Sequence, residues 1–99
     1  MAEDAYVIVA EMTVSAERLD EFVAHSLDDG RHSEADEAGC QQFDVCVKDD
    51  GTPTVVLYEV YDSLAAFELH LKTPHFARWR DATESWITDR RVTRLRLKR

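Results

Sequence analysis

The sequence predicts an α+β fold of the ferredoxin-like kind, with β-α-β-β-α-β order and an antiparallel sheet carrying its helices on one face. Three observations predict it. Four segments have the β-branched runs or period-2 alternation of strands, two intervening regions have apolar residues at helical spacing, and the two middle strands follow one another across a short turn. At 99 residues and 44% hydrophobic content, the chain reads as one domain over 1–99, with few Gly and Pro and no repeat that would mark a linker. A domain this small buries only roughly two-thirds of its unfolded surface, so self-association is an expected source of extra stability.

Each element has its own signal. Tyr6-Val7-Ile8-Val9-Ala10 is a short apolar run that continues through Val14 as the first strand. Ser15 reads as an N-cap, and Leu19, Phe22, Val23, Ser26 and Leu27 form the buried stripe of an amphipathic helix. Its end is open between Gly30 and a glycine C-cap at Gly39. Phe43, Val45 and Val47 alternate with polar neighbours, and Thr54 to Tyr61 is a second β-rich run, so the two form a hairpin across the Asp49–Pro53 turn. Asp62 or Ser63 caps a helix through Leu64, Phe67 and Leu71, and Thr73-Pro74 ends it while starting another that carries Phe76, Trp79 and Trp86. In the tail Thr93, Leu95 and Leu97 alternate with Arg94, Arg96 and Lys98, the pattern of a half-buried last strand.

In the first strand Val7 and Val9 lie opposite Ile8 and Ala10, so both faces are apolar and one has no helix to cover it. A second copy of the chain is the expected cover, making a homodimer.

Charge excludes several partners. The chain has 20 acidic against 12 basic residues and a net charge of -8, which argues against nucleic acid or an anionic membrane as partner. Six of the bases fall in residues 90–99, where strand alternation explains them better than a nucleic-acid arm. No run approaches the roughly 20 apolar residues of a membrane span. Cys40 and Cys46, six residues apart on one extended segment, would lie roughly 20 Å apart and cannot pair. With no signal-peptide pattern, these features give the expectation of a reduced, cytoplasmic protein.

The chemistry-bearing residues are few. No phosphate-cradling glycine loop, nucleophile elbow, CxxC or HExxH occurs, and no metal-ligating set is expected. His25 and His32, seven apart on one helix and about 10 Å along its axis, are too far apart for a shared metal and are expected at the surface. His70 and His75 straddle the Thr73-Pro74 break, so they can converge on one pocket and are the candidate catalytic bases. Phe43, Tyr58, Tyr61, Phe67, Phe76 and Trp79 supply aromatic surface for a small-ligand cavity. Glu59, inside the most apolar strand, lies either on the uncovered sheet face or in that cavity with a shifted pKa.

Three stretches carry a family resemblance: Glu37-Ala38-Gly39-Cys40-Gln41-Gln42-Phe43, Tyr58-Glu59-Val60-Tyr61, and Ala66-Phe67 through His70 and Thr73 to His75-Phe76. Their motifs, E-x-G-C-x-x-F, Y-E-x-Y and A-F-x-x-H-x-x-T-x-H-F, resemble in order and spacing the antibiotic biosynthesis monooxygenase family. That resemblance implies a dimeric α+β barrel with two sheets packed face to face. It also implies a monooxygenase acting on a small quinol, phenol or anthrone-type aromatic or enolic substrate without metal or flavin. Other branches are an isomerase of a small phosphorylated carbonyl compound of the autoinducer-2 type and haem-degrading enzymes. The Asn, Trp and His of the haem-degrading branch fall near Met12, His70 and Arg80, and none matches. Small barrels of this kind also serve as non-catalytic ligand binders. An isomerase would need a cationic phosphate site, for which Arg78 and Arg80 are the nearby candidates.

Overall fold

A computed structural model of the chain describes residues 4–99. Strand β1 (Ala5–Val14) leads through a 3-10 turn into helix α1 (Leu19–Asp36), followed by the hairpin strands β2 (Cys40–Val47) and β3 (Thr54–Tyr61). Helices α2 (Leu64–His70) and α3 (Pro74–Thr83) come next, and strand β4 (Ile87–Leu97) closes the fold. The strands form one antiparallel sheet in the order β2-β3-β1-β4. This is the α+β ferredoxin-like arrangement read from the pattern. Among the described residues no helix is long and apolar enough to cross a membrane.

The period-2 rule sorts the sheet into two faces. Ile8, Ala10, Met12 and Val14 of β1 and Val55, Leu57 and Tyr61 of β3 are buried with Phe22, Phe67 and Trp79 of the helices in one core. Val7 and its register partner Val60 point to the other face, and they are buried outside that core. Both faces of β1 are therefore apolar, and the helices cover one.

Local signals held best where a polar side chain caps a helix. Ser63 Oγ accepts from the Ala66 N–H of α2, and Thr73 Oγ1 accepts from the Phe76 N–H of α3 with Pro74 at its first position. Ser15 does not cap α1: its side chain makes no capping bond, and the turn Ala16–Arg18 stands between them. Leu27 is 42% exposed. The buried stripe of α1 instead turns polar towards its end, through Ser26, Asp29 and Ser33.

Helix α1 runs through Gly30 and stops at Asp36, with Glu37 extended behind it. Gly30 is a contact residue, since a Cβ there would stand 2.7 Å from Cδ1 of Phe43. Gly39 is no left-handed cap either: its φ is not positive. A Cβ there would meet Cβ of Ala66 at 2.6 Å, so the glycine lets β2 start directly against α2.

The last strand is a correction. β4 is an edge strand and is exposed almost throughout, because the helices pack over β1 to β3. Leu95 pairs with Val7 and so lies on the helix-free face, while Arg94 pairs with Ile8 and Arg90 with Met12 on the helix side. The two cysteines are free, Cys40 buried and Cys46 exposed, and burial first, then the charge of Glu37, pushes the Cys40 thiol up to about 12.

Candidate functional site

Between the helix side of the sheet and the broken α2–α3 pair lies a cavity of about 240 Å³. Ile8, Ala10, Met12 and Leu57 form its floor, Phe67, Phe76 and Trp79 its walls, Asp29, Glu59 and His70 its polar groups, and Arg90 and Arg94 its β4 edge. A mostly apolar hollow with a few convergent polar groups is the usual form of a small-molecule site. Trp79 is fixed in the wall by an Nε1–H donated to Ser26 Oγ at 3.0 Å.

The two histidines meet as the helix break allows. His70 ends α2 and His75 is the second residue of α3. Thr73 ties the two together by donating to the His70 carbonyl at 2.8 Å while capping α3. Both imidazoles reach one carboxylate oxygen, Oε2 of Glu37, 2.7 Å from Nδ1 of His70 and 2.5 Å from Nε2 of His75. A carboxylate only accepts hydrogen bonds, so each of these nitrogens carries the proton. Nε2 of His70 is the ring nitrogen left without a hydrogen-bond partner, 3.9 Å from Oδ2 of Asp29. His70 and His75 are 2% and 5% exposed, which shields this pair from solvent.

Two further buried acids line the cavity with His70. Glu59 accepts from the Tyr61 hydroxyl at 2.6 Å, and desolvation pushes its carboxyl up to about 8, against the opposing effect of that hydrogen bond. Tyr61, desolvated and beside this carboxyl, is held well above the usual phenol range. Asp29 is 2% exposed, and its Oδ1 has no hydrogen-bond partner among the described residues. Burial raises its pKa, with His70 and His75 pulling the other way. An orphaned buried carboxyl oxygen is costly and marks a place built for another group.

Asp29, His70 and His75 offer donor atoms that all lie within 4.8 Å of one another, a combination a divalent first-row metal accepts. The sequence has no spacing that signals this set. Glu37 takes one nitrogen of each imidazole, which orients both rings and leaves the other nitrogen of each to meet a proton or a ligand.

Of the candidate residues, His70, Glu59, Phe67, Phe76 and Trp79 line the cavity. His75 stands behind it, joined to His70 through Glu37. Phe43 lies under His70 with ring centroids 6.0 Å apart, and Tyr61 touches the site through Glu59; both support the lining without forming it. Tyr58 is a correction: it pairs with Val9 and lies on the helix-free face, because a side chain one residue from Glu59 must point the other way. His25 and His32 are partly exposed, the His32 side chain at 45%, with His32 stacked on His75 at 5.9 Å. Arg78 is paired with Asp28 and Arg80 with Asp81, so the bases at the cavity are Arg90 and Arg94. Glu37 and Asp29 join the site without being expected from the sequence pattern. Glu37 opens the E-x-G-C-x-x-F motif, which was the available signal; Asp29 had none beyond its spacing from Phe22 and Ser26.

Comparison with known proteins agrees with this architecture. The sequence model of the antibiotic biosynthesis monooxygenase family matches residues 5–82. No curated protein matches the sequence. Among solved structures, a candidate antibiotic biosynthesis monooxygenase from Nitrosomonas europaea superposes with a TM-score of 0.91 at 23% identity, covering 98% of this chain and 93% of that one. Another from Caulobacter crescentus gives 0.92 at 20% identity, covering 98% and 92%. Rv0793 from Mycobacterium tuberculosis gives 0.86 at 23% identity, covering 96% of both. These likenesses establish the fold, and the match over 5–82 establishes that the chain belongs to the antibiotic biosynthesis monooxygenase family.

Proposed function

We propose that the protein is a monooxygenase that oxidises a small quinol, phenol or anthrone-type aromatic with O₂, without metal or flavin, in the cavity beside His70. The observation that carries this reading is the Glu37–His70 hydrogen bond, which leaves the other imidazole nitrogen basic at the cavity's polar end. The substrate's hydroxyl or enolisable C–H gives its proton to Nε2 of His70, and the resulting anion passes an electron to O₂. Recombination forms the C–O bond of a peroxide. Loss of water, using the proton held on His70 and the remaining hydrogen of the oxygenated carbon, leaves one oxygen atom in the product carbonyl and one in water. Glu37 stabilises the imidazolium formed on the way, as a carboxylate does for a catalytic histidine. The apolar walls keep water from the anion.

An isomerase of a phosphorylated carbonyl compound is the second reading, favoured by one observation, the guanidiniums of Arg90 and Arg94 at the cavity. Oxygen uptake separates the two. A panel of quinols and anthrones in an oxygen electrode, with chelator-treated protein, is expected to show turnover for at least one compound; proton exchange or isomerisation without oxygen uptake favours the isomerase. The protein acts as a homodimer in this account, with the helix-free faces carrying Val7, Val9, Tyr58 and Val60 packed together.

A further inference from the structure

We infer that the cavity selects aromatic substrates bearing an anionic group, a carboxylate or a phosphate, seated on Arg94 and Arg90 with the reacting hydroxyl towards His70. This rests on the cavity being the substrate site. Ile8 of β1 pairs with Glu59 on one side and with Arg94 on the other. Glu59 and Arg94 thus sit at opposite ends of one cross-strand row, their backbones about 10 Å apart at two strand spacings, with the cavity floor between them. A single ring with a hydroxyl at one end and an acid at the other spans this floor, from the polar groups His70 and Glu59 to the Arg94 edge. The 240 Å³ volume falls below the range of pockets for drug-sized ligands, which limits the substrate to one or two rings.

The two guanidiniums are available. Among the described residues Arg18, Arg78 and Arg80 are each in an ion pair, whereas Arg90 and Arg94, like Arg31, Arg91, Arg96 and Arg99, have neither an ion pair nor a side-chain hydrogen bond; of these six only Arg90 and Arg94 line the cavity. Arg94 is instead held with its guanidinium carbon 5.4 Å from the centroid of Phe67, itself a cavity wall. This contact fixes the cation at the rim without using its forked donors, which match carboxylate and phosphate oxygens. Arg90 lies on the same face of β4, with Val92 between the two. The chain as a whole carries a charge of -8, so a cationic edge on the cavity is what an anionic ligand needs to approach it.

Calorimetric titration of the full chain with 4-hydroxybenzoate, its neutral amide and 4-hydroxyphenyl phosphate tests the inference without requiring turnover. One anion or both should bind at least about tenfold tighter than the amide, the worth of one charged hydrogen bond, and the tighter anion identifies the group. Arg90→Gln/Arg94→Gln, both exposed edge positions whose replacement leaves the core intact, should reduce the anions to the amide's affinity. Equal affinity for anion and amide, a preference that survives the double substitution, or no binding at all overturns it. Selective anion binding by a protein that consumes no oxygen keeps the inference and removes the monooxygenase reading.

Discussion

Oε2 of Glu37 lies 2.7 Å from Nδ1 of His70, joining the residue just past the first helix to the last residue of the second. The contact spans 33 positions of sequence and turns a surface-type pair into a buried one, with the Glu37 side chain 10% exposed and that of His70 3%. Its consequence is directional: Nδ1 is occupied, and Nε2 is the only ring nitrogen of His70 left to take a proton from a ligand in the cavity.

Glu37→Gln should cut kcat by roughly 10² or more while preserving the fold. A glutamine can donate its amide N–H to Nδ1, which moves the histidine proton to Nε2 and removes the base. The pH profile distinguishes this from a packing defect. Without the carboxylate to stabilise the imidazolium, the acid limb of kcat should shift to lower pH; an unchanged limb would show that Glu37 has only a structural part.

Glu59→Gln should stabilise the protein in a pH-dependent way. The folded carboxyl keeps its proton up to about 8, while in the unfolded chain it ionises near 4.5. Between those values the native state binds more protons, so this group's contribution to stability is full below the lower value and is lost as pH rises to the upper one. Glutamine keeps an acceptor for Tyr61 and has no proton to lose. Thermal unfolding should show little difference from wild type near pH 4 and a gain growing to a few kcal/mol by pH 8; a constant offset across that range would contradict the assignment.

The elements were legible because their signals are local. Ser63 and Thr73-Pro74 cap helices within four residues of themselves, and the alternation around Phe43 needs no partner to be seen. The site was legible only where the chain doubles back over a short distance, as at His70 and His75. Glu59 was ambiguous because β3 is apolar on both faces, which erases the alternation that would assign its side. Its pairing with Ile8 decides the matter. In β4 the alternation was visible but its sense was not: the arginines, rather than the leucines, face the helices, because the edge strand lies beyond the helices' cover. Glu37 looks like any solvated residue after a helix until α1 packs against the break between α2 and α3.

The homodimer predicts a mass near twice 11.4 kDa in sedimentation equilibrium at micromolar concentration. An obligate interface between the helix-free faces should bury well over about 1,000 Å². Val9→Asp, placed on that face opposite Tyr58, should lower the mass towards the monomer's. Wild-type protein sedimenting as a single 11.4 kDa species would refute the dimer.

The central claim is that His70, oriented by Glu37, is the base of a metal-free oxygenation. Its most direct test is the oxygen-uptake rate of chelator-treated wild type, His70→Gln and His75→Gln on one confirmed substrate. The account predicts that wild type keeps its rate after chelation. His70→Gln should lose roughly 10² to 10⁴ in kcat together with the acid limb of the profile, and His75→Gln, which touches the cavity only through Glu37, should lose less. A His70→Gln enzyme with wild-type kcat and an unchanged acid limb would contradict the account.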